Sequence, residues 1–220
     1  LDPTGNRTNN ITDWRAENVG PDTIVYVDMD DTLAGFNKKA ASLFSVDNAR
    51  DITSPENIRY TTILNNMPGF FLNLEKLPQA DSLLSKFSSY KLLTTDTGAL
   101  NGNGEKKDWA SANLTAYPPT GEICFASGAV LSGVYQSANK GEYATPTSVL
   151  IDDNPTYVKQ FNNAGGTAFK YMWSEVVAGS LPPGLTLTDN TIIGTPVSQN
   201  STTTSTFTVR LHDNLGYTAV

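Results

Sequence analysis

Thr23-Ile24-Val25-Tyr26-Val27-Asp28-Met29-Asp30-Asp31-Thr32-Leu33 is the stretch on which the fold turns. Its first five residues are β-branched or aromatic, bounded upstream by Gly20-Pro21 and downstream by carboxylates. An apolar run this short and continuous predicts a strand buried on both faces, as in a parallel sheet. In open α/β sheets ligands bind just beyond the carboxyl ends of the strands, which is where the three Asp fall.

Outward from this stretch the same pattern repeats. Residues 90–94, 122–125, 148–151 and 167–170 read as strands, and residues 38–44, 80–87, 106–114 and 155–163 as helices. Residues 37–84 are mainly helical in pattern, with an irregular stretch over 47–77. Strands alternating with helices predict an α/β domain with a mostly parallel sheet.

Two further features stand at predicted strand ends: Thr94-Thr95 and Asp152-Asp153. Asp28, Asp30 and Asp152 can supply oxygen ligands to Mg²⁺. Asp28 can also act as a nucleophile, since carboxylates form aspartyl-phosphate intermediates. Thr94 offers a hydroxyl to a phosphate oxygen, and Lys106 a point charge. Singly, each has a plain structural reading: a helix cap, a turn, a surface lysine. Their order and placement argue for one crevice.

Composition narrows the chemistry. Among 220 residues, 15 Lys+Arg stand against 22 Asp+Glu, so the formal net charge is −7. Binding to a nucleic-acid polymer is not expected, because it needs clustered cations. With one cysteine, Cys124, and one histidine, His212, an intrachain disulfide, a Cys₄ or Cys₂His₂ zinc site and a CxxC redox pair are excluded. Catalysis must rest on carboxylates, Lys, Ser and Thr. No apolar run reaches the length of a membrane span, and the start carries neither a signal-peptide pattern nor a Met. The expectation is an excised piece of a longer protein.

The segment Asp28-Met29-Asp30-Asp31-Thr32-Leu33 after its apolar strand resembles motif I of the haloacid dehalogenase (HAD) superfamily. Thr94 after Lys91-Leu92-Leu93 resembles motif II, Lys106 motif III, and Asp152-Asp153 after Val149-Leu150-Ile151 motif IV. They stand in the family's order at spacings of 66, 12 and 46 residues. Residues 28–36 (DMDDTLAGF), 68–80 (PGFFLNLEKLPQA) and the Lys106-x-x-Trp109 spacing resemble the 5'-(3')-deoxyribonucleotidase group in particular. The resemblance implies a Rossmann-like HAD domain over residues 22–175 with a small helical cap over about 37–79. It implies Asp28 as nucleophile, Asp30 as general acid/base, and Thr94, Thr95 and Lys106 as phosphate-binding residues. Mg²⁺ would lie on Asp28, Asp30 and Asp152, with Asp153 as support, and Phe70 and Phe71 would line the cap side. The implied substrate is a small phosphomonoester such as a deoxynucleotide. Asp31 departs from the Gly more often found there, and Lys107 beside Lys106 leaves the motif III position open by one residue, the Trp109 spacing favouring Lys106.

Residues 1–21, rich in Asn and Thr, read as a linker or arm. From about residue 176 the composition changes again. Between Gly179 and Val220 only Asp189, Arg210 and Asp213 are charged, and ten Thr fall in residues 180–220. β-formers and turn residues take over, predicting a separate all-β segment. Ser180-Leu181-Pro182-Pro183-Gly184-Leu185 with Ile193-Gly194-Thr195-Pro196 resembles the second half of an immunoglobulin-like repeat of bacterial surface and phage structural proteins. That implies a virion or cell-surface setting, with other domains of the parent protein as partners. Two functions follow as expectations: a Mg²⁺-dependent phosphomonoesterase, or a structural or adhesion module carrying a HAD-like domain whose activity is incidental or lost. The four N-x-S/T sites at Asn6, Asn10, Asn113 and Asn200 are read as a product of composition.

Overall fold

A computed structural model describes residues 9–10, 20–47, 49, 52, 63–98, 101–114, 122–128, 130–131, 134–135, 138–188, 190–197 and 203–212. Most of the expected N-terminal arm, Asp213, and the sequon residues Asn6 and Asn200 lie outside the described residues. Strands β1 (Asn9–Asn10), β2 (Ile24–Val27), β3 (Lys91–Thr95), β4 (Ile123–Ala126), β7 (Ser148–Asp152) and β8 (Thr167–Lys170) form one sheet in the order β1-β8-β7-β2-β3-β4. Every pairing in it is parallel. Between β4 and β7 lie the two short strands β5 (Val130–Leu131) and β6 (Val134–Tyr135), an antiparallel pair.

β2 sits at the centre, as its doubly buried pattern demands. Its side chains alternate between two apolar clusters. Val25 and Val27, with Leu92, Val149, Ile151 and Phe169, face one cluster. Tyr26, with Leu93, Leu150 and Ala168, faces the other. A period of two with both parities buried is what a covered parallel sheet requires.

Among the described residues the sheet is accompanied by helices α1 (Phe36–Phe44), α2 (Ala80–Leu84), α3 (Gly102–Asn113) and α4 (Pro155–Asn163). α4 starts where Asn154 accepts a hydrogen bond from the Thr156 N–H at 2.9 Å, with Pro155 in the first turn. Its Val158 and Phe161 fill the second cluster. α3 starts four residues before the expected 106, through Gly102 and Gly104, and buries Trp109 and Ala110 in the first cluster. The insert between β2 and β3 packs into that same cluster through Ala40, Leu64, Phe70, Phe71 and Leu74.

The chain then turns to antiparallel structure. β9 (Trp173–Gly179) pairs with β12 (Phe207–His212), with a register shift at Thr208/Val209. β10 (Leu185–Thr188) pairs with β11 (Thr191–Gly194). The glycines of the Leu181–Pro196 stretch have a specific cause. A Cβ on Gly184 would lie 2.2 Å from the Thr195 carbonyl oxygen, and one on Gly194 2.2 Å from that of Gly184. Both also have positive φ, at 88° and 119°. Among the described residues this segment consists of two-stranded pairs, and Ile192, Ile193 and Val197 are exposed on it. No helix among the described residues is long and apolar enough to cross a membrane.

Candidate metal and phosphate site

β2 and β7 are adjacent, yet the chain winds from β2 through β3 and β4 to one side and returns through β7 and β8 on the other. This reversal is a topological switch point, where parallel strands splay at their carboxyl ends. The Asp28 N–H donates to the Ile151 carbonyl at 2.9 Å, fixing the two strand ends together. Asp28, Asp152 and Asp153 are all buried there, and one carboxylate oxygen from each lies within 4.8 Å of the other two.

Their neighbours hold them in place. The Thr32 hydroxyl donates to Asp153 at 3.4 Å and accepts from the Asp153 N–H at 3.3 Å. The Asn154 N–H donates to Asp152 Oδ1 at 2.8 Å. The turn after β2 closes through the N–H groups of Leu33 and Ala34, both 2.9 Å from the Met29 carbonyl. In this turn Asp31 adopts φ 61° and accepts from the Asn37 N–H at 2.8 Å. The departure from Gly thus caps α1, whose own preceding residue, Gly35, has no side chain to do so.

Lys140, absent from the sequence expectation, completes the cluster. It opens a 3₁₀ turn (Lys140–Tyr143) packed on α4, and its ammonium is fully buried. Nζ donates to Asp28 Oδ1 and to Asp152 Oδ2, the second at 2.7 Å, and lies 4.8 Å from the centre of the Tyr157 ring. Burial alone would lower this lysine, but Asp152 and Asp28 outweigh it and hold its proton above the usual range. No pattern in the sequence points to it: Lys140 lies twelve residues before Asp152 in a stretch without strand or helix periodicity.

A second lysine serves a second carboxylate. Lys106 Nζ, also buried, donates to Asp30 Oδ2 at 2.7 Å, Thr94 Oγ1 at 2.8 Å and the Thr95 carbonyl at 3.2 Å. Asp30 Oδ1 is buried with no hydrogen-bond partner among the described residues. The expected metal set was Asp28, Asp30 and Asp152; among the described residues the carboxylates of Asp28, Asp152 and Asp153 lie together, and Asp30 Oδ2 faces Lys106 and Thr94. Thr95 contributes its carbonyl to Lys106. Phe70 and Phe71 are buried against Phe36, and the Phe71 ring centre lies 4.8 Å from Lys106 Nζ. Lys107 lies over Phe125 instead, 5.6 Å from the ring centre.

The donor set fits a hard divalent cation. Three carboxylates and one ammonium leave two negative charges in a buried space, and oxygen donors of this kind suit Mg²⁺. The electrostatics record the same deficit. Burial, with repulsion from Asp152 and Asp30, pushes Asp28 up to about 8 although Lys140 opposes the shift. Asp152 is raised mainly by burial, and Asp153 well raised by burial and then by Asp31 and Asp152. Each carboxylate is costly to ionise without further positive charge. Asp28, Asp152 and Asp153 form a candidate metal site.

No family model matches the chain, and no curated protein matches it. Among solved structures, the HAD domain of the effector protein Lem4 from Legionella pneumophila overlaps it at 13% sequence identity and a TM-score of 0.33. The overlap covers 68% of this chain and 84% of that one. A likeness this loose carries no argument about function, which rests instead on the side chains described above.

Proposed function

We propose that the chain is a Mg²⁺-dependent phosphomonoesterase of the HAD type, nucleotidase-like, with Asp28 as nucleophile. The observation that carries this reading is the meeting of Asp28, Asp152, Asp153 and Lys140 at the switch point, beside Asp30, Thr94 and Lys106. Asp28, Asp152 and Asp153 would hold the metal, which when bound offsets the charge of a phosphate dianion approaching a carboxylate. Asp28 attacks phosphorus and the leaving oxygen departs with a proton from Asp30, leaving an aspartyl-phosphate. Asp30 then takes a proton from the water that hydrolyses it. Thr94 and Lys106 bind phosphoryl oxygens, and Lys140 holds Asp28 and Asp152 in place while balancing their charge. The nucleotidase resemblance of residues 28–36 and 68–80 points to a deoxynucleoside monophosphate as substrate.

Purified protein with Mg²⁺ is expected to release phosphate from a deoxynucleoside monophosphate or an aryl phosphate, and Asp28→Asn to abolish release. Absence of turnover by the wild-type chain across a broad phosphomonoester panel would overturn the reading.

The two-stranded β pairs within described residues 173–212 favour a second reading of context. With Ile192, Ile193 and Val197 exposed, this segment suits a chain carried on a larger modular protein. As a structural module, it would join its particle or fibre equally well with Asp28→Asn.

A further inference from the structure

We infer that Glu105 is a positioning residue: by holding the backbone of residues 69–72 it seats Phe71 over the Lys106 ammonium and keeps that lysine on Asp30 and Thr94. Glu105 Oε1 accepts from the Gly69 N–H at 2.6 Å, and Oε2 from the N–H groups of Phe71 at 3.0 Å and Leu72 at 3.5 Å. The neighbouring N–H groups are satisfied within the turn itself. Phe70 donates to Met67, Asn73 to Gly69 and Leu74 to Phe71. Glu105 therefore takes the three donors between Gly69 and Leu74 that the turn leaves over. A carboxylate is the one side chain with two acceptor oxygens and no donor to oppose them.

The contact continues along α3. Trp109 Nε1 donates to the Leu74 carbonyl at 2.8 Å, and the Asn113 carbonyl accepts from Lys76 Nζ at 3.0 Å. Residues 105, 109 and 113 stand four apart and so lie along one helix face. α3 thus grips residues 69–76 once per turn, and the residue after the first grip, Lys106, reaches into the site. Phe71, packed on Phe36 and Phe70, covers the Lys106 ammonium. That this arrangement serves catalysis rests on the phosphatase reading; the arrangement itself does not.

Lysine acylation of the folded protein with acetic anhydride, mapped by mass spectrometry, tests it. Wild-type Lys106 and Lys140 are both buried and are expected to be protected relative to exposed Lys38. Glu105→Gln offers a single oxygen to three donors and turns an NH₂ toward them. Because a charged acceptor is lost, Lys106 labelling is expected to rise about tenfold, with Lys140 unchanged. Phe71→Leu, which removes the ring but keeps an apolar side chain, is expected to raise Lys106 labelling in the same selective way. Glu105→Asp, charged but drawn back, provides the same reading where the Gln variant does not fold. Unchanged Lys106 labelling in these variants, or a rise shared equally with Lys140, would overturn the inference. The labelling needs no turnover. Failure of the phosphatase reading would show as absent phosphate release with selective labelling intact, and failure of this inference as phosphate release without it.

Discussion

Asp28, Asp152 and Asp153 share a buried space with one ammonium, and that ammonium is therefore not exchangeable for a neutral group. Lys140→Met would leave Asp28 and Asp152 buried without their cation. Removing one partner of a buried pair costs about 3–5 kcal/mol, so urea unfolding of the metal-free variant is expected to show a loss of that order. The same charge imbalance sets a pH dependence. Asp28 is held near 8 in the folded chain and titrates near 4 when unfolded, and Asp152 and Asp153 shift in the same direction. The folded state thus binds protons more tightly. The stability this contributes is complete below about 4 and is lost as pH rises through about 8. Metal-free protein is expected to melt lower at pH 8 than at pH 5, and Mg²⁺ to raise the melting temperature more at pH 8, where fewer protons need be displaced. Equal Mg²⁺ shifts at both pH values would contradict this assignment. Asp28 and Asp152 were legible in the sequence because an apolar strand ends at each. Lys140 was not, because a 3₁₀ turn has no periodicity to announce it and its partners are 112 and 12 residues away.

The elements were legible where a local pattern dictates them. Apolar runs located β2, β3, β7 and β8 to within a residue, and the helical pattern of residues 155–163 matched α4. The start of α3 was hidden because Gly102 and Gly104 are poor helix formers, and packing of the helix overrides that local preference. β9 was missed as a strand because its partner, β12, begins 28 residues after it ends, and strand formation there depends on that distant pairing. Within α3, Trp109→Phe keeps an aromatic ring but drops the hydrogen bond to the Leu74 carbonyl and part of the buried indole volume; a loss of about 2–4 kcal/mol by urea unfolding is expected. In the β10–β11 hairpin, Gly194→Ala meets both the Gly184 carbonyl and a positive φ. A cost of about 1–3 kcal/mol is expected there, read as faster amide exchange in residues 185–194.

At the scale of the whole molecule, one topological fact organises the chemistry. The reversal of winding between β2 and β7 opens the sheet at the one place where Asp28 and Asp152 end adjacent strands. The antiparallel pairs β9–β12 and β10–β11 lie after this sheet in the chain and contribute none of the described metal-site residues. A chain ending at residue 175 is accordingly expected to keep its Mg²⁺-dependent rise in melting temperature; loss of that rise would show that the β segment is needed for the site. The local surplus of carboxylates, within a molecule of net charge −7, is what a divalent cation would offset. The most direct test of the account is rapid acid quench of the wild-type chain during turnover of a phosphomonoester with Mg²⁺, followed by peptide mass spectrometry. One phosphoryl group is expected on the peptide carrying Asp28, absent from Asp28→Asn. A phosphoryl group on another residue, or turnover without any adduct at Asp28, would contradict it.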